Sequence, residues 1–189
     1  MIDIKLNPGE HALIGYGSLL SIASMERTLG HKYSGPWHVI RLVGWRRAWD
    51  VQMPGSEWAY VDGSRTVTAK RVVYLNVRQQ ANGHVNCSLF VITTEQLERF
   101  DKREGVYYRA NVSADIEGMR VTGGNAWVYV GLDEYLWRKP SQPPEAIIRR
   151  SYLDILESAH TELGDEFRRE YHATTDALPG ELVVDDIPN

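Results

Sequence analysis

Short apolar runs separated by glycine- and proline-marked turns dominate the chain, and helical spacing enters at only a few places. The run His11-Ala12-Leu13-Ile14-Gly15-Tyr16 predicts a first buried strand that breaks at Gly17-Ser18. Residues Ser21 to Leu29 then read as a short helix stopped by Gly30. Trp37 to Gln52 is rich in β-branched and aromatic residues and predicts one long or bent strand, closed by the turn cluster Met53-Pro54-Gly55-Ser56. The runs Lys70–Arg78 and His84–Ile92 flank an Asn82-Gly83 pair, which predicts a β-hairpin. Thr93 and Gln96 form a capping box that opens a helix with Leu97 and Phe100 inward, ending near Glu104-Gly105. Strands follow at Tyr107–Ile116 and Asn125–Gly131, with Thr122-Gly123-Gly124 between them. The loop Lys139–Pro144 cannot be helical at its prolines. It leads to an amphipathic helix over 145–160, with Ile148, Tyr152, Ile155 and Leu156 on one face, and to a last short helix at 165–171.

Strands joined by hairpins and followed by helices predict an α+β fold: a small mixed, mostly antiparallel β-barrel or curved sheet with flanking helices. The 189 residues fit one domain over 1–180, with 181–189 a candidate disordered tail. Hydrophobic residues at 43% and charged residues at 24% are those of a globular chain. A net charge of -4 argues against nucleic acid as a partner, which would call for a basic face. Arg41, Arg46 and Arg47, interleaved with Trp45 and Trp49, read as a solvated strand face. The single cysteine, Cys87, allows no intramolecular disulfide and reads as a small buried hydrophobe. With no signal-like apolar segment at the start and no stretch approaching 18 apolar residues, the expectation is a soluble, cytoplasmic protein without a membrane partner. Oligomeric state is not legible.

Two segments could carry chemistry. In Gly15-Tyr16-Gly17-Ser18-Leu19-Leu20, two glycines bracket a tyrosine where a strand gives way to a helix. Such a turn can aim successive backbone N–H groups at an anion; an ordinary glycine turn would look the same. The spacing matches neither a nucleotide-binding P-loop nor a serine nucleophile elbow. The second segment runs from Asp101 through Glu104-Gly105 to Tyr107 and Arg109. A carboxylate at a helix C-terminus faces the negative end of the dipole, and in an apolar cavity desolvation raises its pKa, so that it can take and return a proton. The commoner reading of Asp101–Glu104 is a solvated charge run. His11, His31, His38, His84, His160 and His172 show no H-E-x-x-H spacing and no carboxylate partner at ligand spacing, so no metal and no cofactor is expected.

Together the two segments resemble signatures of the γ-glutamylcyclotransferase-like superfamily. Tyr16-Gly17-Ser18-Leu19 is similar to its Y-G-S-L/N loop. Asp101, Glu104, Gly105, Tyr107 and Arg109 resemble its D-x-x-E-G glutamate followed by a Y-x-R strand. Weaker echoes are Ala126–Val130 and the helix Ser151–Leu156; the likeness spans about Ala12 to Tyr171. The resemblance implies Glu104 as the acid–base residue, Tyr16, Gly17, Ser18 and Leu19 as the cradle of a γ-glutamyl group, and Tyr152 as a pocket wall. It departs from the family where Val106 alone separates Gly105 from Tyr107, and Trp37 to Trp58 belongs to no signature. The implied activity, as a lyase or acyltransferase, is cyclisation of a γ-glutamyl amide or peptide to 5-oxoproline with release of the amine. The implied partner is thus a small γ-glutamyl substrate. Two other readings stay open: a non-catalytic small-molecule-binding module, and a hydrolase using Ser18.

Overall fold

The computed structural model describes residues 2–55, 57–138 and 141–187. In chain order its elements are β1 (Ile2–Lys5), β2 (Glu10–Gly15), α1 (Ile22–Leu29), β3 (Trp37–Pro54), β4 (Ala59–Asp62), β5 (Arg65–Thr68), β6 (Arg71–Thr93), α2 (Thr94–Arg103), β7 (Tyr107–Asn111), β8 (Met119–Thr122), β9 (Ala126–Gly131), β10 (Ile148–Arg149), α3 (Arg150–Leu163), α4 (Asp165–Ala173) and β11 (Val183–Val184). The main sheet has the order β3-β6-β2-β9-β7; all its pairs are antiparallel except β2 with β9. It curls into a half-barrel with the helices flanking it, an α+β fold.

Side-chain alternation builds two cores on the two faces of this sheet. Ala12 and Ile14 of β2, Leu89 of β6, and Val128 and Val130 of β9 face one way, against Tyr152 and Leu156 of α3 and Phe167 and Tyr171 of α4. Leu13, Phe90 and Tyr129 face the other way, against Met25 and Leu29 of α1 and Leu97 and Phe100 of α2. The capping box at Thr93/Gln96 forms as the sequence predicts and fixes where α2 starts. Among the described residues no helix is long and apolar enough to cross a membrane.

The predicted hairpin at Asn82-Gly83 does not form. Lys70–Arg78 and His84–Ile92 belong to one strand, β6, and both halves pair with β3 instead of with each other. Asn82 does take a left-handed conformation, φ 63°, but opposite Gly44 at φ 86°. Residues 80–83 stand against Gly44 alone, between the pairs Val43–His84 and Trp45–Gln79. The turn chemistry is absorbed by a bulge that bends both strands together.

Other expectations are also corrected. Arg47 is not on a solvated face: it is fully buried, between Trp45 and Trp49, both also buried. Residues 45, 47 and 49 share one side of β3, and that side faces the core. Residues 145–149 are not helical. Ala146, Ile147 and Ile148 are all buried, which one face of a helix cannot achieve, and Ile148–Arg149 pairs with Val183–Val184. The segment 181–187 is therefore no loose tail, and Leu182 is buried in the core. The Asp186 carboxylate accepts from the Ser151 amide at 2.9 Å and from its hydroxyl, capping α3 from 35 residues downstream. Strand β1, paired in parallel with β8, and the β4–β5 hairpin were not predicted. Ser56, Lys139, Pro140, Pro188 and Asn189, which fall on expected turn, loop or tail segments, lie outside the described residues.

Candidate active site

The glycine turn follows β2 and sits where that strand's open end meets α3. At Gly15 a Cβ would come within 2.3 Å of the Leu19 carbonyl oxygen, and at Gly17 within 2.9 Å of the Tyr152 hydroxyl. Side chains at these two positions would fill the tight return of the chain or displace the tyrosine. No acceptor among the described residues takes the backbone N–H groups of Gly17, Ser18 or Leu19.

Glu104 caps the C-terminus of α2, donating its amide to the Phe100 carbonyl at 2.8 Å. Its side chain is only 15% exposed. Burial pushes its carboxyl above the ordinary range, and the Arg103 guanidinium, whose Nε lies 3.2 Å from Glu104 Oε1, partly opposes this. Asp101 and Arg109 brace the same corner. The Tyr129 hydroxyl donates to Asp101 Oδ1 at 2.8 Å, and Arg109 Nε lies 3.1 Å from the same oxygen, tying α2 to β7 and β9.

All six residues singled out in the sequence, Tyr16, Gly17, Ser18, Leu19, Glu104 and Tyr152, line one small hollow of about 30 Å³, together with Tyr107 and Tyr129. Through Ser18, Glu104, Tyr107 and Tyr152 it adjoins an outer cavity of about 580 Å³. The single-residue spacing between Gly105 and Tyr107 does not keep Glu104 out of the hollow. Tyr107 donates its hydroxyl to the Leu75 carbonyl at 2.9 Å. Burial holds the hydroxyls of Tyr16, Tyr107 and Tyr152 far above their usual range, and they remain neutral donors at physiological pH.

Two arginines were missed as parts of this site. Arg103 reads in sequence as one member of a charge run. It donates from Nη2 to the Ser18 hydroxyl at 2.9 Å and from Nη1 to Thr28 Oγ1 at 2.7 Å, joining α1 and the glycine turn to the end of α2. Arg47 lies beneath the turn and donates from Nε to the Tyr16 carbonyl at 2.9 Å and from Nη1 to Thr175 Oγ1 at 2.8 Å. Its guanidinium stacks 3.9 Å from the centre of the Tyr171 ring. Among the described residues no carboxylate lies within ion-pair distance of it. Its location between two core tryptophans at strand spacing was the available signal.

Cys87 is fully buried, and burial pushes its thiol up to about 12, so it is no nucleophile at neutral pH. Ser18 accepts from Arg103, and among the described residues no histidine lines either hollow. Away from the hollow, Glu157, His160 and His172 come together in space. Glu157 and His160 stand at E-x-x-H spacing, a carboxylate partner where the sequence predicts none.

A curled, mostly antiparallel sheet whose second strand runs out into a glycine turn, faced by a buried glutamate, defines a small-molecule cavity protein. The family model described as gamma-glutamyl cyclotransferase, AIG2-like, matches residues 14–154. The chain belongs to that family. Among solved structures it is similar to one described as a gamma-glutamyl cyclotransferase, at 15% identity over 92% of this chain and 93% of that one, with a TM-score of 0.58. It is similar to the uncharacterized protein loc79017 from Homo sapiens at 16% identity, over 92% of this chain and 94% of that one, TM-score 0.59. YkqA from Bacillus subtilis matches at 17% identity over 89% of this chain and 56% of that one, TM-score 0.56. A search of curated proteins finds no match. At these identities the structural likeness establishes the fold.

Proposed function

We propose that the protein cyclises a γ-glutamyl amide or peptide to 5-oxoproline, with Glu104 as the general acid and base. The observation that carries this reading is the shared hollow: Glu104 lines it together with Gly17, Ser18 and Leu19, whose amides have no acceptor among the described residues. A γ-glutamyl compound contains both reactants. Its α-amine is the nucleophile and its γ-carbonyl the electrophile, so holding the chain folded replaces an encounter with a unimolecular step. Ionised Glu104 takes a proton from the α-ammonium. The freed nitrogen attacks the γ-carbon, and the developing oxyanion accepts from turn amides or tyrosine hydroxyls. The new C–N bond closes the five-membered ring, Glu104 returns its proton to the leaving nitrogen as the old amide C–N bond breaks, and the same carboxyl passes the surplus proton of the ring nitrogen to the departing amine, which leaves as an ammonium ion. One carboxyl serves these transfers, and the proposed sequence requires no second acid and no serine nucleophile.

The outer cavity favours a particular leaving group. Among the described residues, Arg27, Lys102, Arg103 and Arg149 line it against Glu104 as its one carboxylate. This lining suits an amine that bears a carboxylate, such as an amino acid or short peptide, better than a polyamine. Incubation with γ-glutamyl amino acids, γ-glutamyl peptides and γ-glutamyl polyamines, with 5-oxoproline as the readout, tests both points. The expected order puts the carboxylate-bearing substrates first, and Glu104→Gln is expected to abolish product while keeping the fold by circular dichroism. Undiminished turnover in that variant removes Glu104 from its role.

The Arg103–Glu104 contact favours a second reading, a binding module of the same fold, because a cation beside the carboxylate weakens it as a base. Tight binding of a γ-glutamyl compound without any 5-oxoproline release would select it. The cytoplasm is the proposed location, with a small molecule rather than nucleic acid as the partner.

A further inference from the structure

Glu157 and His160 are three residues apart on α3 and share a face of it, while His172 comes from the last turn of α4, beyond the Gly164 connection. One donor atom from each lies within 4.8 Å of the other two. His160 is only 2% exposed, and neither of its ring nitrogens has a hydrogen-bond partner among the described residues. The Glu157 Oε1 atom comes nearest as an ionic partner, 3.6 Å from Nδ1. Leaving a buried imidazole unpaired is costly, and native structures rarely do so without an occupant.

We infer that Glu157, His160 and His172 bind one divalent first-row metal ion, best matched by zinc. Two imidazoles and one carboxylate are the donors such borderline ions prefer, whereas magnesium and calcium take six or more oxygens. Zinc holds its nitrogen and oxygen ligands at about 2.0–2.2 Å, so the three donors must draw slightly closer together. Glu157 and His172 are exposed, and their side chains have room to shift toward the buried His160. Arg168 already orients the carboxylate, its Nη2 lying 3.0 Å from Glu157 Oε2, which leaves Oε1 for the ion. Three protein ligands leave at least one position for water. The ion would staple α3 to α4 and so hold the helix that carries Tyr152.

The test is a titration of untagged, metal-free protein with zinc chloride, followed by calorimetry and thermal melting, with magnesium chloride as the comparison. Expected are one zinc ion per chain and a rise in Tm with zinc but not with magnesium. His172→Ala, at an exposed position, should leave the metal-free Tm in place and lose the zinc-dependent rise. His31→Ala, remote in the fold, should keep it. Cobalt should give the visible absorption of a four-coordinate ion in the parent and lose it in His172→Ala. Absence of a zinc-dependent shift in the parent overturns the proposal, as does an equal shift in His172→Ala. Because every readout is binding or stability, the outcome is independent of whether the hollow turns over a γ-glutamyl substrate.

Discussion

Asp50 and Glu104 are chemically alike in their immediate surroundings, yet only one stands in a place where its chemistry could be used. Their side chains are 21% and 15% exposed, and burial pushes both carboxyls upward. Each has an arginine at its side, Arg78 at 3.5 Å and Arg103 at 3.2 Å. Asp50, however, lines a hollow of about 700 Å³ walled by Trp45, Asn76, Tyr108 and Trp137, in which the Gly131 amide is already taken by Asn76 at 2.8 Å. Glu104 lines a hollow together with Gly17, Ser18 and Leu19, whose amides no described residue takes, and with four tyrosines. A raised carboxyl therefore reports burial; it becomes a candidate acid or base only where other groups can hold the reacting atoms.

The largest expected effect separates the two carboxylates outright. Glu104→Gln should lower kcat/KM for 5-oxoproline release by on the order of 10²–10⁴, while Asp50→Asn should stay within about twofold of the parent. Equal losses would erase the distinction.

Next is Arg47, the buried cation under the glycine turn. Arg47→Met strips hydrogen bonds from the Tyr16 carbonyl and from Asn86 and should cost about 3 kcal/mol of stability in denaturant melts. A loss near zero would mean the turn does not depend on it.

A smaller effect concerns the environment of Glu104. Its folded pKa is raised, so the folded chain holds the proton over a range where the unfolded chain has lost it. Glu104 then subtracts from stability as pH rises above about 4.3. Glu104→Gln should match the parent in Tm at lower pH and exceed it progressively as pH climbs through the folded value. Arg103 lowers that value, so Arg103→Gln should move the acid limb of kcat/KM to higher pH. A limb left in place would show that the arginine does not tune the carboxyl.

The smallest effect lies at the start of α3. Asp186→Ala removes the cap on α3, which should cost about 1 kcal/mol in thermal or denaturant melts, and frees Arg149, 3.5 Å away in the outer cavity wall, so KM should shift more than kcat. A large loss of turnover at unchanged stability would mean the tail shapes the hollow directly.

The local interactions were legible from residues a few positions apart. Thr93 and Gln96 set the start of α2 and hence place Glu104 at its end; Gly15 leaves room for the Leu19 carbonyl in the tight turn after β2. These depend on contacts within three or four residues, and the sequence carries them intact. What tertiary structure decided was pairing across long separations. Asn82-Gly83 could equally make a hairpin or a bulge, and the full-length partner offered by β3 decided it. Arg47 could lie on either side of its strand, and the core position of Trp45 and Trp49 decided that. Asp186 became the cap of α3, and His172 met Glu157 and His160, only because the chain returned to them. Burial and register are collective quantities, fixed by which faces find partners, so no local pattern of residues could specify them alone.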